Sequence, residues 1–384
     1  MIPLCVPVIE GNEWTYVKDC LDTGWVSSAG TYVTLFEERM AEYTGVRFAV
    51  ACVNGTSALQ ISLKLAGVRP DDEVIVPTIS FIAPINAIHY NGARPVFMDT
   101  DEFYTLDTRK TIRFISEETT FRDGATYNRI TGRRISALIV VHVFGNAVDL
   151  EDLIPLCDER GIVVVEDGAE SLGTQYKTGR YKGRHAGSQG ALGCLSFNGN
   201  KIITTGGGGM ILTDDEDLAS RAKYLTQQAK DDETYFVHNE VGYNFRLTNI
   251  QAALGVGQLE MLDSYLERKR SAYERYVELA AEIPGIEIAG VPAFARSNHW
   301  MTVASIDPAV FPLSRDELLD KLDQRSIQTR PIWHLNHLQR PYALCQHYEI
   351  DSAPGSVANS LTLPSSANIT EQEIASVAEA IADV

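Results

Sequence analysis

An α/β protein with a mostly parallel central sheet, followed by a smaller α+β unit, is the architecture this sequence predicts. Three observations lead there. Between about residues 46 and 215, short apolar runs rich in β-branched residues alternate with amphipathic stretches. Those runs lack polar alternation, as strands covered on both faces do. Past "NFRLTNIQAALG" the alternation stops, and one apolar stripe through Ile250, Leu254, Met261 and Tyr265 takes over.

The elements follow in order. "RFAVAC" reads as a strand and "TSALQISLKLAG" as the helix after it. "DEVIVP" is again a strand, followed by helical "FIAPINAIHYNG" and the strand "RPVFMD". Then come the strand "ISALIVVHVFG", the helix "DLEDLIPLCDERG" and the strands "IVVVED", "LGCLSF" and "GGMILT". This alternation predicts helices on both faces of the sheet. The later stripe predicts a single long helix from about residue 250 toward Glu282, and "HWMTVASID" a strand. Ser314-x-x-Glu317 and Thr370-x-x-Glu373 are capping-box helix starts. The expected division is an N-terminal arm with a large domain over 1–245, and a connecting helix with a small domain over 246–384.

Composition excludes several classes. The chain has 384 residues, enough for two or three domains, with 45% apolar and 22% charged residues. A net charge of −18 disfavours nucleic acid and anionic membranes as partners. There is no run of about 18 apolar residues, so no membrane span is expected. The start "MIPLCVPVIEGNEW" lacks signal-peptide features, and six scattered cysteines form no C-x-x-C pair. A cytoplasmic location, with neither disulfides nor a metal site, is the expectation. P-loop, G-x-G-x-x-G and G-x-S-x-G motifs are absent.

In open α/β sheets, ligands sit outside the carboxyl ends of the strands. Four segments put polar residues there. Asn54-Gly55-Thr56-Ser57 joins a strand to a helix, where N–H groups and hydroxyls suit an anion; capping by Thr56 or Ser57 is the plainer role. Asp167 follows four apolar residues and, if buried, needs a partner. Ser196 ends a strand, and Lys201 stands five residues on, ahead of Gly206–Gly209. Asn244 and Arg246 precede the long helix, on a surface that could meet a second subunit.

One chemistry uses all four segments: pyridoxal 5′-phosphate. It needs a lysine for a Schiff base, an acid at the ring nitrogen, an aromatic ring against the cofactor face, here Phe81 in "PTISFIAPINA", and a phosphate cup at a helix N-terminus.

That order and wording resemble the sugar aminotransferases of fold type I called the DegT/DnrJ/EryC1/StrS family. The likeness runs from "TGWVSSAGTYVTLFEERMAEYTGVRFAVACVNGTSAL" through "VVEDGAESLG" and "GYNFRLTNIQAALG" to "LTLPSSANITEQEI". It implies a fold type I pyridoxal phosphate-dependent transferase. Lys201 would then be the Schiff-base lysine and proton shuttle, Asp167 the pyridinium partner, and Phe81 the stacking ring. Gly55, Thr56, Ser57 and Ser196 would bind the phosphate. Asn244 would reach the phosphate of the partner subunit's cofactor, which implies a homodimer with shared active sites. Family members often carry Gln or His where this chain has Glu170, near the cofactor's phenolic oxygen. An ionised glutamate would be repulsive there, so Glu170 is either protonated or turned away.

The resemblance implies amino transfer from L-glutamate to a nucleotide-linked keto-sugar, because relatives that dehydrate or deoxygenate sugars carry histidine at the position of Lys201. "SFNGNKIITTGGGGMI" with "TGWVSSAG" resembles enzymes that aminate C4 of UDP-linked 4-keto-6-deoxy-N-acetylhexosamines, for bacterial surface glycans. The alternative is a dTDP- or GDP-keto-sugar of the perosamine type, aminated at C3 or C4. "TRPIWHLNHLQRPY" holds Arg330, His334, His337 and Arg340, which could meet a diphosphate. A non-catalytic regulator on the same fold is the remote alternative; loss of Lys201 or Asp167 would be its signature.

Overall fold

A computed structural model describes residues 1–232 and 234–383. Seven strands build the body of the large sheet: β1 (Phe48–Cys52), β2 (Glu73–Pro77), β3 (Arg94–Met98), β4 (Arg134–Val141), β5 (Val163–Asp167), β6 (Leu192–Ser196) and β7 (Gly209–Thr213). Their spatial order is β3-β2-β4-β5-β6-β7-β1. Pairing is parallel from β3 through β6, while β7 runs antiparallel to both its neighbours. The reversal brings the start of β7 to the edge where β1, β5 and β6 end. A hairpin of Thr119–Arg122 and Ala125–Asn128 joins β4, and His347–Tyr348 adds beside β3.

The apolar runs are explained by two cores, one on each face. Successive residues of a strand point to opposite faces. Val74, Val76, Ile139 and Val141 accordingly enter one cluster, while Ile75, Leu138 and Val140 enter the other. Helix Gly55–Leu65 brings Leu59, Ile61 and Leu63 to the first face; Thr108–Glu117 brings Phe114 and Ile115 to the second. Each such side chain contributes about 1.5–3 kcal/mol on burial, which favours apolar residues along the runs.

The small domain is an antiparallel sheet ordered Ile286–Ile288, Thr302–Ile306, Ser360–Leu363 and Arg330–Pro331. Helices Arg315–Gln324 and Glu371–Ala382 cover it, and both start with the predicted reciprocal capping boxes at Ser314 and Thr370. A third box, Thr248 with Gln251, opens helix Asn249–Glu260.

The expected single long helix is two. Asn249–Glu260 and Leu262–Ala280 meet at Met261, whose N–H bonds back only three residues, to Gln258. The tighter turn redirects the chain while Tyr265 resumes the normal spacing by bonding to Met261. Asn249–Glu260 packs on two N-terminal helices, Glu13–Thr23 and Thr31–Thr44. The arm before those helices lies on the small domain: Ile2 exchanges backbone bonds with Ser326 and Gln328, and Leu4 accepts from Ser365. No helix among the described residues is long and apolar enough to cross a membrane.

Where the domains meet, His299 stacks on Tyr273 with ring centroids 4.2 Å apart. Burial pushes His299 down to about 4, and Arg270, Lys269 and Arg296 add to it. The folded value lies below the unfolded one near 6.5, so the fold binds fewer protons between the two. His299 therefore contributes stability above pH 6.5 that is lost as pH falls toward 4. His299 also has φ +50°, a conformation Asn tolerates. His299→Asn should narrow the stability gap to wild type by about 3 kcal/mol between pH 7 and pH 4, read from urea midpoints. A gap independent of pH would reject this.

Candidate active site

The carboxyl ends of β1, β5 and β6 and the start of β7 open into one cavity of about 410 Å³. At the end of β1, Asn54 caps helix Gly55–Leu65: its Oδ1 accepts the Ser57 N–H at 2.8 Å. The cap is thus Asn54, not Thr56 or Ser57, because the helix begins two or three residues earlier than hydroxyl capping requires. The first N–H groups of a helix have no partner inside it, and Gly55 and Thr56 line the cavity. Ser57, pinned by the cap, is buried and does not line it.

The glycines after Lys201 answer a packing demand. A Cβ on Gly209, the first residue of β7, would lie 2.4 Å from the backbone carbon of Asn54. A Cβ on Gly55 would lie 2.9 Å from that of Ser196. Strand β7 and the helix start can press together at the cavity floor only without side chains.

Asp167 closes β5 and faces the cavity, while Glu166 beside it points to the other side of the sheet, as strand alternation demands. Glu166 is fully buried and accepts from His142 Nε2 at 2.8 Å and from the Gly187 N–H at 2.9 Å. His142 Nδ1 accepts the Val148 N–H, which leaves the proton on Nε2. Asp167 is only 4% exposed, and its Oδ1 accepts the Ala169 N–H at 3.1 Å. Burial pushes its carboxyl above the ordinary range; that N–H and the Lys201 ammonium pull the other way.

Glu170 points inward. Its Oε1 accepts from Lys201 Nζ at 3.2 Å and its Oε2 from the Phe144 N–H at 2.9 Å. Phe144 supplies that N–H from a left-handed backbone, φ +57°, which a bulky residue seldom adopts. Burial raises the Glu170 carboxyl, with Lys201 and then the Phe144 N–H opposing. One lysine thus faces two buried carboxyls, and a cationic ring brought beside Asp167 would relieve the surplus of acid. Together with the helix N-terminus, this set fits pyridoxal phosphate: an amine to bond it, an acid for its ring nitrogen, and N–H groups for its phosphate.

Phe81, 57% exposed, stands at the cavity wall, and Ser196 lines it too. Asn244, Arg246, Arg330 and His334 are all exposed and lie outside the cavity. Arg246 lines a separate groove of about 620 Å³, where Lys223 and Glu37 are already paired at 2.6 Å. That larger groove offers no comparable set of buried reactive groups. Arg330 donates to the adjacent Thr329 carbonyl. His337 is occupied structurally, its Nδ1 2.7 Å from Thr78 Oγ1.

The cavity also holds residues that sequence reasoning passed over: Asn198, Asn200, Trp300 and Trp333. Trp333 stacks on Phe144, centroids 4.9 Å apart and planes 15° apart. The chain has four tryptophans, and two of them meet here; their scarcity was the available signal.

Comparison with known proteins shows the family. Residues 7–382 match the DegT/DnrJ/EryC1/StrS aminotransferase family. A GDP-perosamine synthase of Caulobacter vibrioides is 35% identical, with all of this chain and 98% of the relative aligned. A GDP-perosamine synthase of Escherichia coli O157:H7 is 33% identical, over 99% and 97% of the two chains. The crystal structure of the aminotransferase TlmJ from Streptoalloteichus hindustanus superposes with a TM-score of 0.88 at 28% identity, covering 100% of this chain and 98% of that one. With the family model, the relatives and the fold each spanning nearly the whole chain, the chain belongs to the DegT/DnrJ/EryC1/StrS aminotransferase family, the pyridoxal phosphate-dependent sugar aminotransferases.

Proposed function

We propose that this chain moves an amino group from L-glutamate to the C4 keto carbon of a GDP-linked 4-keto-6-deoxy sugar, in the cytoplasm, for surface polysaccharide. The observation that carries amino transfer is the single cavity uniting Lys201, Asp167, Glu170 and the start of helix Gly55–Leu65. The GDP-linked substrate draws its support from the two GDP-perosamine synthases at 35% and 33% identity. This favours the alternative over the UDP-linked reading first suggested by the wording of the lysine loop.

Lys201 would hold the cofactor covalently, with Asp167 at its ring nitrogen, Phe81 against its face, and Gly55, Thr56 and Ser196 around its phosphate; Ser57, buried behind the Asn54 cap, would support that turn from outside the cavity. When bound, pyridoxal phosphate supplies an electron sink for the pair released when the amino acid's C–H bond breaks. The chain's own residues do the rest. Lys201 Nζ, once free, takes and returns a proton on the one face it can reach. Glu170, held on its other oxygen by the Phe144 N–H, gives that ammonium a resting partner 3.2 Å away. Asp167 needs no cap to justify its burial if its charge answers a cation bound in the cavity. Asn244 and Arg246, outside their own cavity, would serve the partner's site in a homodimer. Arg330 and His334 flank Trp333 in the chain and would meet the nucleotide at the mouth.

The test is spectroscopic and kinetic. Loaded enzyme should change its visible absorption with L-glutamate, and added keto-sugar should restore it. GDP-linked substrate should give kcat/KM about 10-fold or more above the UDP-linked one, the scale of one or two well-made base contacts. Equal or better turnover of the UDP-linked sugar would overturn the GDP assignment.

A further inference from the structure

We propose that Trp300 is a positioning residue for Lys201, and that the buried Lys269 holds Trp300 in place. The inference rests on the reading of Lys201 as the reactive lysine. Trp300 comes from the small domain, just before strand Thr302–Ile306, and is 3% exposed. It makes two contacts on the lysine loop. Its ring face lies 3.9 Å from Lys201 Nζ, centroid to nitrogen. Its Nε1–H donates to the Asn200 carbonyl at 2.7 Å. The first contact places the amine; the second fixes the peptide from which Lys201 springs. Cys5 of the N-terminal arm donates to the same carbonyl at 3.3 Å, so residue 200 is gripped from two sides.

Trp300 is itself braced. Its N–H donates to Asn298 Oδ1 at 2.8 Å, and its carbonyl accepts from Lys269 Nζ at 2.9 Å. Lys269, 4% exposed, also donates to the Ser365 carbonyl. Among the described residues it pairs with no carboxylate. A buried cation answered only by carbonyls costs stability, and a methionine would fill the same space more cheaply. Its place under Trp300 gives that cost a purpose. The strut running from Lys269 through Trp300 to Asn200 and Lys201 sets where the amine stands, and amine placement governs transfer rate steeply. Glu170 alone would leave a four-carbon side chain free to swing about one contact.

Two variants separate the contacts: Trp300→Phe keeps a ring face without the Nε1 donor, and Trp300→Leu removes both. The full-length, cofactor-free chain is treated with N-hydroxysuccinimidyl acetate, and acetylation is mapped lysine by lysine. Lys201 should react about 10-fold faster in Trp300→Leu, and less so in Trp300→Phe, the scale of one desolvated cation–π contact. Lys110 and Lys223 should keep wild-type rates, which certifies the fold. Lys269→Met should move Lys201 the same way as Trp300→Leu. In loaded enzyme, kcat should fall while KM for L-glutamate holds. Wild-type acetylation of Lys201 in both Trp300 variants overturns the proposal. Should Lys201→Ala still develop the wild-type visible band with pyridoxal phosphate, the reading of Lys201 fails instead, whatever Trp300 does.

Discussion

Lys201→Ala should lower kcat by about 10⁴-fold or more, the loss seen when a covalent nucleophile and its proton-carrying role go together. The variant should also reveal how the site is balanced. Asp167 and Glu170 are both raised by burial, and Lys201 opposes that in each. Without the ammonium, both carboxyls are raised further, and at neutral pH the fold bears two buried acids lacking their cation. Breaking a buried pair costs about 3–5 kcal/mol unless the survivor takes up a proton. The sign follows from proton counting. Folded pKa values above unfolded ones mean that the folded state holds more protons, so stability falls as pH rises through that window. Cofactor-free Lys201→Ala should therefore melt closest to wild type near pH 5 and furthest below it near pH 8. Undiminished turnover would remove Lys201 from the chemistry; a melting difference independent of pH would remove the electrostatic account.

Asp167→Asn should separate function from folding. Loaded enzyme should lose about 10³-fold in kcat, the upper range for removing one preorganised electrostatic partner. The cofactor-free protein should behave oppositely. Burial already raises the Asp167 carboxyl, so at neutral pH the ionised side chain costs stability that a neutral amide does not. Asp167→Asn without cofactor should melt at or above wild type at pH 8, with the advantage shrinking as pH falls through the folded value. Added pyridoxal phosphate should then raise the melting temperature of wild type more than that of the variant, because only the wild type gains a counter-charge. A variant destabilised without cofactor would mean that Asp167 is kept for the fold.

The strands of the large sheet were readable because burial on both faces leaves an unbroken β-branched run, and β2 is buried at every position. Their carboxyl ends then located Asp167, Ser196, Gly55 and Thr56, and chemistry picked out Lys201. The cap at Asn54 was misjudged by two or three positions because Asn, Ser and Thr compete for the same role and stand almost adjacent. The break at Met261 was hidden because tightening one turn does not interrupt the apolar stripe. Helices Glu13–Thr23 and Thr31–Thr44 went unread; Trp14 and Leu21 of the first are exposed, which blurs its periodicity. Trp300 and Trp333 were beyond local reading altogether. Each lies about a hundred residues or more past Lys201 and reaches it only because a second domain folds back over the first.

The N-terminal arm has a consequence for how this enzyme comes into being. Ile2 is bonded to Ser326 and Gln328, Leu4 to Ser365, and Cys5 to the peptide ahead of Lys201. During synthesis Ile2 and Leu4 leave the ribosome hundreds of residues before Ser326, Gln328 and Ser365 exist. The large sheet can assemble on the nascent chain, since every strand it needs lies before residue 214 apart from the edge pair His347–Tyr348. The arm cannot complete its pairing until Ser326, Gln328 and Ser365 have been made. Closing a loop that spans the chain is among the slowest kinds of contact to form. The lysine loop takes its Cys5 tether from that same arm, so the site is fully braced only once the arm has docked on the small domain.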